Sequence, residues 1–398
     1  MIRIKHKTEC CGCGACVQIC PVRCISMRED AEGFAYPHAD ADACTGCGLC
    51  EKVCPVAVRR PERAPLRTLA ARNTDETVRS VSSSGGIFLP LARKVIRMGG
   101  VVFGARFGDD GDVFHDFTAD EDGLYAFTGS KYVQSMIGES YVRARDFLRT
   151  GRPVLFTGTQ CQIKGLRLFL MKDWDNLYTA DILCHGVPSP AVWRAYLNAA
   201  VCPPSSAVAG PADGPLEISF RDKSRGWKNY RVVIRSQGRE VLNEAHSDNL
   251  YMRMYLADLM LRPSCHDCRA KDGRSGSDLT IADFWGIDRL MPALDDDGGT
   301  GLILINSSKG AALFQDALKD GAEQAEVRID AARPFNGGFQ PVRRVPAGRR
   351  RFFRRFVARK EDIMRLFRDT LNPTPAVRLW ISFVHRLRKR TGRLFDAL

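Results

Sequence analysis

Long apolar runs are missing from this sequence. Across 398 residues no uninterrupted hydrophobic stretch is long enough to span a bilayer, so a membrane-spanning chain is not expected. A secretory leader is missing too. Met1–Lys7 is short and basic and runs straight into a cysteine motif, which makes the cytoplasm the expected location. No G-x-G-x-x-G follows a strand-like run, which argues against a Rossmann domain for nicotinamide, though not against every mode of nicotinamide binding. The formal net charge is +13, yet no nucleic-acid-binding motif accompanies it, so nucleic acid is not the expected partner. The basic residues crowd the last stretch, in GRRRFFRRFVARK and HRLRKRTGR, where they would attract acidic proteins, nucleotide phosphates or anionic lipid.

Cysteine, by contrast, is abundant. There are 15, and without an export signal they point to metal or redox use in a reducing compartment. Eight form two matching runs, Cys10, Cys13, Cys16, Cys20 and Cys44, Cys47, Cys50, Cys54, each closed by proline at Pro21 or Pro55. C-x-x-C-x-x-C-x-x-x-C-P is the spacing of a two-cluster bacterial ferredoxin, in which the fourth cysteine of each run ligates the other cluster. The expected ligand sets are therefore Cys10, Cys13, Cys16 and Cys54 for one 4Fe-4S cluster, and Cys44, Cys47, Cys50 and Cys20 for the other. Gly12, Gly14, Gly46 and Gly48 would let backbone amides approach the inorganic core. Zinc explains the pattern less well, because its sites pair two knuckles across a long spacer and need only four ligands. Cys11 and Cys24 are left as small packing residues.

The chain is long enough for one small and one large unit. Residues 1–60 form the cluster module, with 28–42 joining its halves. Residues 61–77 (PERAPLRTLAARNTDET) are polar and read as a linker. Residues 78–345 alternate strand and helix signals, the mark of a mixed α/β core. Helices are expected over 86–98 and 140–150. Strands are expected over 100–107, 153–157, 178–184, 216–221, 230–236, 280–283 and 302–306. A Pro/Ala/Gly-rich loop with an incidental Cys202 occupies 201–215. Residues 346–398 read as a basic helical tail that ends in an amphipathic helix over 377–387, carrying Leu379, Trp380, Phe383, Val384 and Leu387. That last helix packs on the protein itself or docks on a membrane surface or partner.

Four further cysteines stand where apolar runs give way to turns: Cys161 in GTQCQIKGLR, Cys184 in DILCHGVPSP, and Cys265 and Cys268 in SCHDCRAKD. From spacing alone, this C-x-x-C is a redox pair or half of a zinc site.

The blocks SVSSSGGIF, GSKYVQS, GTQCQIKGL, DILCHGVPSPAVWRAYL, SFRDKSRGWKNY, SCHDCRAKDGRSGSDLTIADFWGI and DDDGGTGLILIN, in order from about Thr77 to Asn306, resemble the coenzyme F420 hydrogenase/dehydrogenase beta subunit family. Members are iron–sulfur flavoproteins that bind FAD and pass electrons to or from partners such as reduced deazaflavin or ferredoxin. The fusion to an N-terminal two-cluster ferredoxin is similar to the longer members. The resemblance implies an α+β ferredoxin module followed by a larger mixed α/β flavin-binding domain. It implies that Cys161, Cys184, Cys265 and Cys268 hold a third 4Fe-4S cluster; the rival is a reducible Cys265–Cys268 disulfide. It implies FAD contacts from Ser82, Ser83, Ser84, Gly85 and Gly86, at the start of a helix, whose structural alternative is a simple helix cap. Lys131, Tyr132, Gln134 and Ser135 would reach the isoalloxazine or its phosphates, and Gly158, Thr159 and Gln160 would hold the cofactor through backbone groups. Asp283 would bond the ring or ribose, or cap the next turn.

Catalytic residues are not identified by these motifs. Lys131, which would stabilise a reduced flavin anion, and His185, which would deliver a proton or make a structural bond in its turn, are the candidates. Arg221, Lys223 and Lys228 with Trp227 would clamp an anion or form a solvated loop. The expected activity is that of an iron–sulfur flavoprotein oxidoreductase passing electrons between 4Fe-4S clusters and a two-electron substrate. The alternative is an electron-transfer subunit that docks to a separate catalytic protein. Expected partners are a ferredoxin or other redox protein and a small two-electron donor or acceptor, with peripheral membrane contact through the tail as a further option. Substrate identity (deazaflavin, nicotinamide, sugar, thiol or other), direction of flow and oligomeric state stay open.

Overall fold

A computed structural model describes residues 1–201, 215–319, 321–342, 344–358 and 362–373. The expected amphipathic helix over 377–387 and Cys202 lie outside the described residues, as does most of the loop expected around Cys202.

The N-terminal module is a small duplicated unit. Helix α1 (Ala15–Gln18) and helix α2 (Leu49–Lys52) flank a hairpin of β1 (Ile25–Glu29) and β2 (Ala35–Ala39), paired antiparallel. The hairpin occupies part of the stretch expected to join the two halves.

The larger unit follows in chain order. It contains β3 (Arg67–Asn73), α3 (Glu76–Ser80), α4 (Phe88–Arg97), β4 (Val101–Phe107), β5 (Val113–Thr118), α5 (Ser140–Arg149), β6 (Val154–Thr159), α6 (Gln160–Leu170), β7 (Leu177–Ile182) and α7 (Pro190–Val201). Next come β8 (Leu216–Asp222), β9 (Arg231–Ser236), β10 (Arg239–Ala245), α8 (Leu250–Leu256), β11 (Leu279–Asp283), α9 (Ile287–Leu290), β12 (Gly301–Ile305), α10 (Ser308–Leu318), β13 (Ala322–Glu326) and α11 (Ile329–Ala332). The C-terminal helices are α12 (Ala347–Ala358) and α13 (Ile363–Leu371).

Eight strands form one sheet in the order β13-β3-β12-β11-β7-β6-β4-β5. Its middle, β4, β6, β7 and β11, is parallel, and both flanks are antiparallel. The continuous apolar spelling of β12 is explained by burial of all five residues, as expected for a strand covered on both faces. On one face α4 and α10 pack Leu89, Val95, Leu313 and Phe314 over Leu155, Ala180 and Ile303. On the other face α5 and α6 cover Val154 and Phe156, and there Ala15 and Val53 of the N-terminal module enter the same core. A three-stranded sheet, β10-β9-β8, lies with α7 and α8 in a third core around Trp193, Tyr196 and Tyr251.

Two expectations need correction here. Part of the expected linker is β3, an inner strand pairing with both β12 and β13. Its polar spelling reflects ion pairs at the sheet surface, Arg67 with Glu326 at 2.7 Å and Arg72 with Glu323 at 2.7 Å. The start of the expected basic tail is not a free arm. Phe352, Phe353, Ile363, Leu366 and Phe367 of α12 and α13 are buried in the Trp193 core. Arg349 is buried as well, paired with Glu32 of the N-terminal module at 2.7 Å. No helix among the described residues is long and apolar enough to cross a membrane.

Candidate functional site

The two cysteine runs take the same backbone path. Gly12 (φ 72°), Gly14 (φ 69°), Gly46 (φ 71°) and Gly48 (φ 73°) are all left-handed, a conformation that costs glycine little and other residues more. Each run turns at its two glycines, and α1 and α2 start directly after Gly14 and Gly48. Cys10, Cys13, Cys16 and Cys54 line one small cavity. Cys20, Cys44, Cys47 and Cys50 line another, so the fold brings together the two exchanged sets expected from spacing. Cys20 and Cys54 stand just past the short helices rather than on them. Cys24 joins the second group, its Sγ 3.5 Å from that of Cys20.

Cys161, Cys184, Cys265 and Cys268 also converge. Cys161 is in the first turn of α6, Cys184 follows β7, Cys265 lies in a tight turn over 263–267 and Cys268 directly follows it. All four line a third cavity, together with Cys11, Pro55 and Val56 of the N-terminal module. No described cysteine forms a disulfide. Burial, with Cys268 beside it, pushes the Cys265 thiol up to about 12.

Two buried cations line this cavity, Arg262 at 0% and Lys271 at 2% exposed, and a third, Lys164 at 0%, bonds to Arg269 of its lining. Their polar partners are neutral apart from sulfur. Arg262 donates to the carbonyls of Cys10 at 2.7 Å and Ala35 at 2.9 Å and to Gln134 Oε1 at 3.0 Å. Lys164 Nζ donates to the Arg269 carbonyl at 2.9 Å. Lys271 Nζ donates to the carbonyls of Gln340 at 2.8 Å and His185 at 3.3 Å. Among the described residues none of the three has a carboxylate at ion-pair distance. A buried positive charge is costly unless an anion compensates it, and a four-iron cluster with thiolate ligands is such an anion. The donor set and its charge therefore fit an iron–sulfur group.

Thr159, Cys184, His185, Gly186 and Val187 line both this cavity and a much larger one of about 470 Å³. That volume falls in the range of about 300–1,000 Å³ usual for small-molecule and cofactor sites. The larger cavity opens at the C-terminal ends of β6, β7 and β11, where ligands gather in open α/β sheets. Tyr132, Tyr230, Tyr255 and Trp285 supply aromatic walls. Three polar groups that line it have buried atoms without protein partners: His115 Nδ1, Arg221 Nε and both carboxylate oxygens of Asp181. Such orphans fit a polar, aromatic ligand, because buried polar atoms otherwise find hydrogen bonds. Arg221, almost fully buried, pairs with Asp283 at 2.8 Å and also reaches the Tyr132 hydroxyl at 3.2 Å.

Most expected cofactor contacts line this cavity: Ser82, Ser83, Ser84, Gly85, Gly86, Lys131, Tyr132, Ser135, Gly158, Thr159 and Asp283. Gln134 and Gln160 do not. Gln134 is turned toward the N-terminal module, where its Nε2 donates to the Cys11 carbonyl at 2.9 Å. Gln160 lines the four-cysteine cavity instead. Other groups are already engaged. The Ser82 and Ser84 hydroxyls donate to the carbonyls of Val78 at 2.7 Å and Thr300 at 2.8 Å. Gly85 is small because a Cβ there would stand 2.4 Å from the Ala71 carbonyl oxygen. Lys131 Nζ folds back on the carbonyls of Ala126, Thr128 and Gly129, and burial, with Arg106 adding to it, pushes its ammonium down to about 7. His185 Nε2 lies 2.5 Å from Asp258 Oδ1, beside Tyr255 at the junction of the two cavities.

The motifs did not single out His115, Asp181 or the three buried cations. For the cations a signal existed: Lys164, Arg262 and Lys271 each stand three residues from Cys161, Cys265 or Cys268 in the sequence.

Residues 9–58 match the family model of the 4Fe-4S dicluster domain, and residues 151–329 match the model for the C terminus of the coenzyme F420 hydrogenase/dehydrogenase beta subunit. Comparison with curated proteins gives no match. Among solved structures, a chain of the xenon-derivatised F420-reducing [NiFe] hydrogenase complex from Methanosarcina barkeri aligns with a TM-score of 0.46 at 16% identity, covering 70% of this chain and 87% of that one. The chain thus joins a 4Fe-4S dicluster domain at its N-terminus to a domain of the family defined by the C terminus of the coenzyme F420 hydrogenase/dehydrogenase beta subunit.

Proposed function

We propose that this chain is an iron–sulfur flavoprotein oxidoreductase with three 4Fe-4S clusters and one FAD. One observation carries the reading: three cysteine groups and the large cavity follow one another through the fold. The four-cysteine cavity shares Cys11, Pro55 and Val56 with the first ferredoxin site and Thr159 and Cys184–Val187 with the large cavity. Clusters carry single electrons, and a bound flavin supplies the exchange between one- and two-electron chemistry.

The chain's own residues would do the following. Cys10, Cys13, Cys16 and Cys54 hold one cluster, Cys20, Cys44, Cys47 and Cys50 the second, and Cys161, Cys184, Cys265 and Cys268 the third. The N-terminus of α4, which no side chain caps, and the amides of the Ser82–Gly86 loop hold the phosphates. Asp283, fixed by Arg221, orients the polar edge of the ring, and Tyr132 and Tyr255 exclude water. The His185–Asp258 pair, partly exposed at the cavity junction, holds a proton where a two-electron substrate would enter. A redox disulfide at Cys265 and Cys268 is disfavoured, because it leaves Cys161 and Cys184, which line the same cavity, without a role. The family's description as a beta subunit favours a protein redox partner as well.

Anaerobic purification with iron, sulfide and flavin counts tests this. About twelve irons and one FAD per chain are expected. Cys265→Ser should drop the count to about eight while the ferredoxin signals persist. An unchanged iron count would show that Cys265 is not a ligand.

A further inference from the structure

Two of the buried cations sit between sites rather than inside one. Arg262 directs Nη2 to within 3.5 Å of Cys10 Sγ while the same side chain lines the Cys161 cavity. Its guanidinium lies 4.4 Å from the Tyr36 ring centroid, sealed from water by the module it contacts. Lys164 is on α6 one residue before Gly165, and there α6 runs against the first ferredoxin loop: a Cβ on Gly165 would stand 3.1 Å from Cys13 Sγ. On the other side, Lys164 Nζ donates to the Arg269 carbonyl, next to Cys268, at 2.9 Å. Neither cation lines the outer cavity of Cys20, Cys44, Cys47 and Cys50.

A cluster becomes more negative by one charge when it accepts an electron. A fixed positive charge nearby favours that state and raises the reduction potential, most strongly in a dry interior. We propose that Arg262 and Lys164 form a buried cationic seam that raises the potentials of the two clusters flanking it together and leaves the outermost cluster as it is. No bond forms or breaks and no proton moves. The seam acts only on where an electron prefers to rest. It keeps the two inner sites close in potential, so that neither becomes a trap. The inference rests on the three-cluster reading above.

The test is a redox titration of the purified full chain under anaerobic conditions, followed by electron paramagnetic resonance, with iron counts on every sample. Lys164→Met and Arg262→Gln should each lower two of the three midpoint potentials by a tenfold change in the one-electron equilibrium, about 59 mV, and spare the third. Arg262→Lys, which keeps the charge but not the fork, should recover most of its shift. If Arg262→Gln sheds the ferredoxin iron, Lys164→Met decides alone, since its Nζ bonds neither ferredoxin cysteine loop, its acceptor being the Arg269 carbonyl beside Cys268. Full iron with unshifted potentials in Lys164→Met, or equal shifts of all three signals, overturns the seam and leaves the three-cluster reading standing. A wild-type count of about eight irons overturns that reading itself, and the seam with it.

Discussion

Two buried titratable residues beside the large cavity pull stability in opposite directions with pH. His115 is stacked on Phe156 with its Nε2 3.1 Å from the Thr157 carbonyl, and burial holds its pKa down at about 4. The unfolded chain would bind a proton near pH 6.5 and the folded one only near 4, so stability falls as pH drops through that window, by on the order of 3 kcal/mol in full. Asp181 behaves the other way. Burial raises it to about 6, and the hydroxyls of Ser275, Ser277 and Thr280 favour its anion without closing a hydrogen bond to it. Its folded state takes up the proton first, so it contributes stability as pH falls from about 6 toward its ordinary value and costs stability above that. Thermal midpoints measured anaerobically between pH 4 and 8 separate the two. His115→Gln should flatten the acid-side loss, and Asp181→Asn should raise the midpoint at pH 7 and above. A midpoint for Asp181→Asn below wild type at pH 7 would mean that the carboxylate has a partner in solution.

At the scale of elements, α6 ties the sites together. It begins at the end of β6, carries Cys161 in its first turn and Lys164 three residues on, and meets the N-terminal module at Gly165. Glycine in a helix interior ordinarily costs about 1 kcal/mol relative to alanine, so Gly165→Ala should stabilise on propensity alone. Here the added methyl would stand 3.1 Å from both Cys13 Sγ and the Tyr141 hydroxyl, and Tyr141 is itself held to the Gln162 carbonyl at 2.8 Å. The expected outcome is the reverse sign: a lower thermal midpoint and a disturbed signal from the adjacent ferredoxin cluster. A stabilised, spectroscopically unaltered variant would show that the close approach imposes no constraint. The strands around α6 were readable in sequence because β4, β6, β7, β11 and β12 are short apolar runs bounded by turns. β3 was not, because its arginines and asparagine mimic a linker until Glu323 and Glu326 of β13 arrive to pair with them.

At the scale of the whole molecule, the ferredoxin module is clamped from two directions. Its hairpin turn places Glu32 against Arg349 of α12, and Arg194 of α7 reaches Glu29 at 2.6 Å and Asp112 at 3.2 Å. The Arg349–Glu32 pair is nearly buried on both sides, so removing one member strands the other charge. Arg349→Ala should therefore cost about 3 kcal/mol, more than an exposed ion pair would, and the loss should show as a lowered unfolding midpoint and faster loss of ferredoxin iron. Glu32→Gln with Arg349→Met should recover part of it. If Arg349→Ala leaves both readings unchanged, α12 does not act as a clamp.

The sequence by itself determined how the cysteines of the N-terminal module group, since cysteines three apart on a glycine-bent loop can reach only one region of space and local geometry is carried by local spelling. It determined most strands of the central sheet for the same reason, through period and turn chemistry, while their parallel pairing came only with the fold. The tertiary structure decided that Cys161, Cys184, Cys265 and Cys268 meet, which the family resemblance implied and their spacing did not, that Cys11 lies between two sites, and that Arg262, Lys164 and Lys271 are buried with no carboxylate of the described residues at ion-pair distance. Those residues are far apart along the chain, and charge compensation depends on which atoms share a dry interior, a property that no short stretch of sequence encodes.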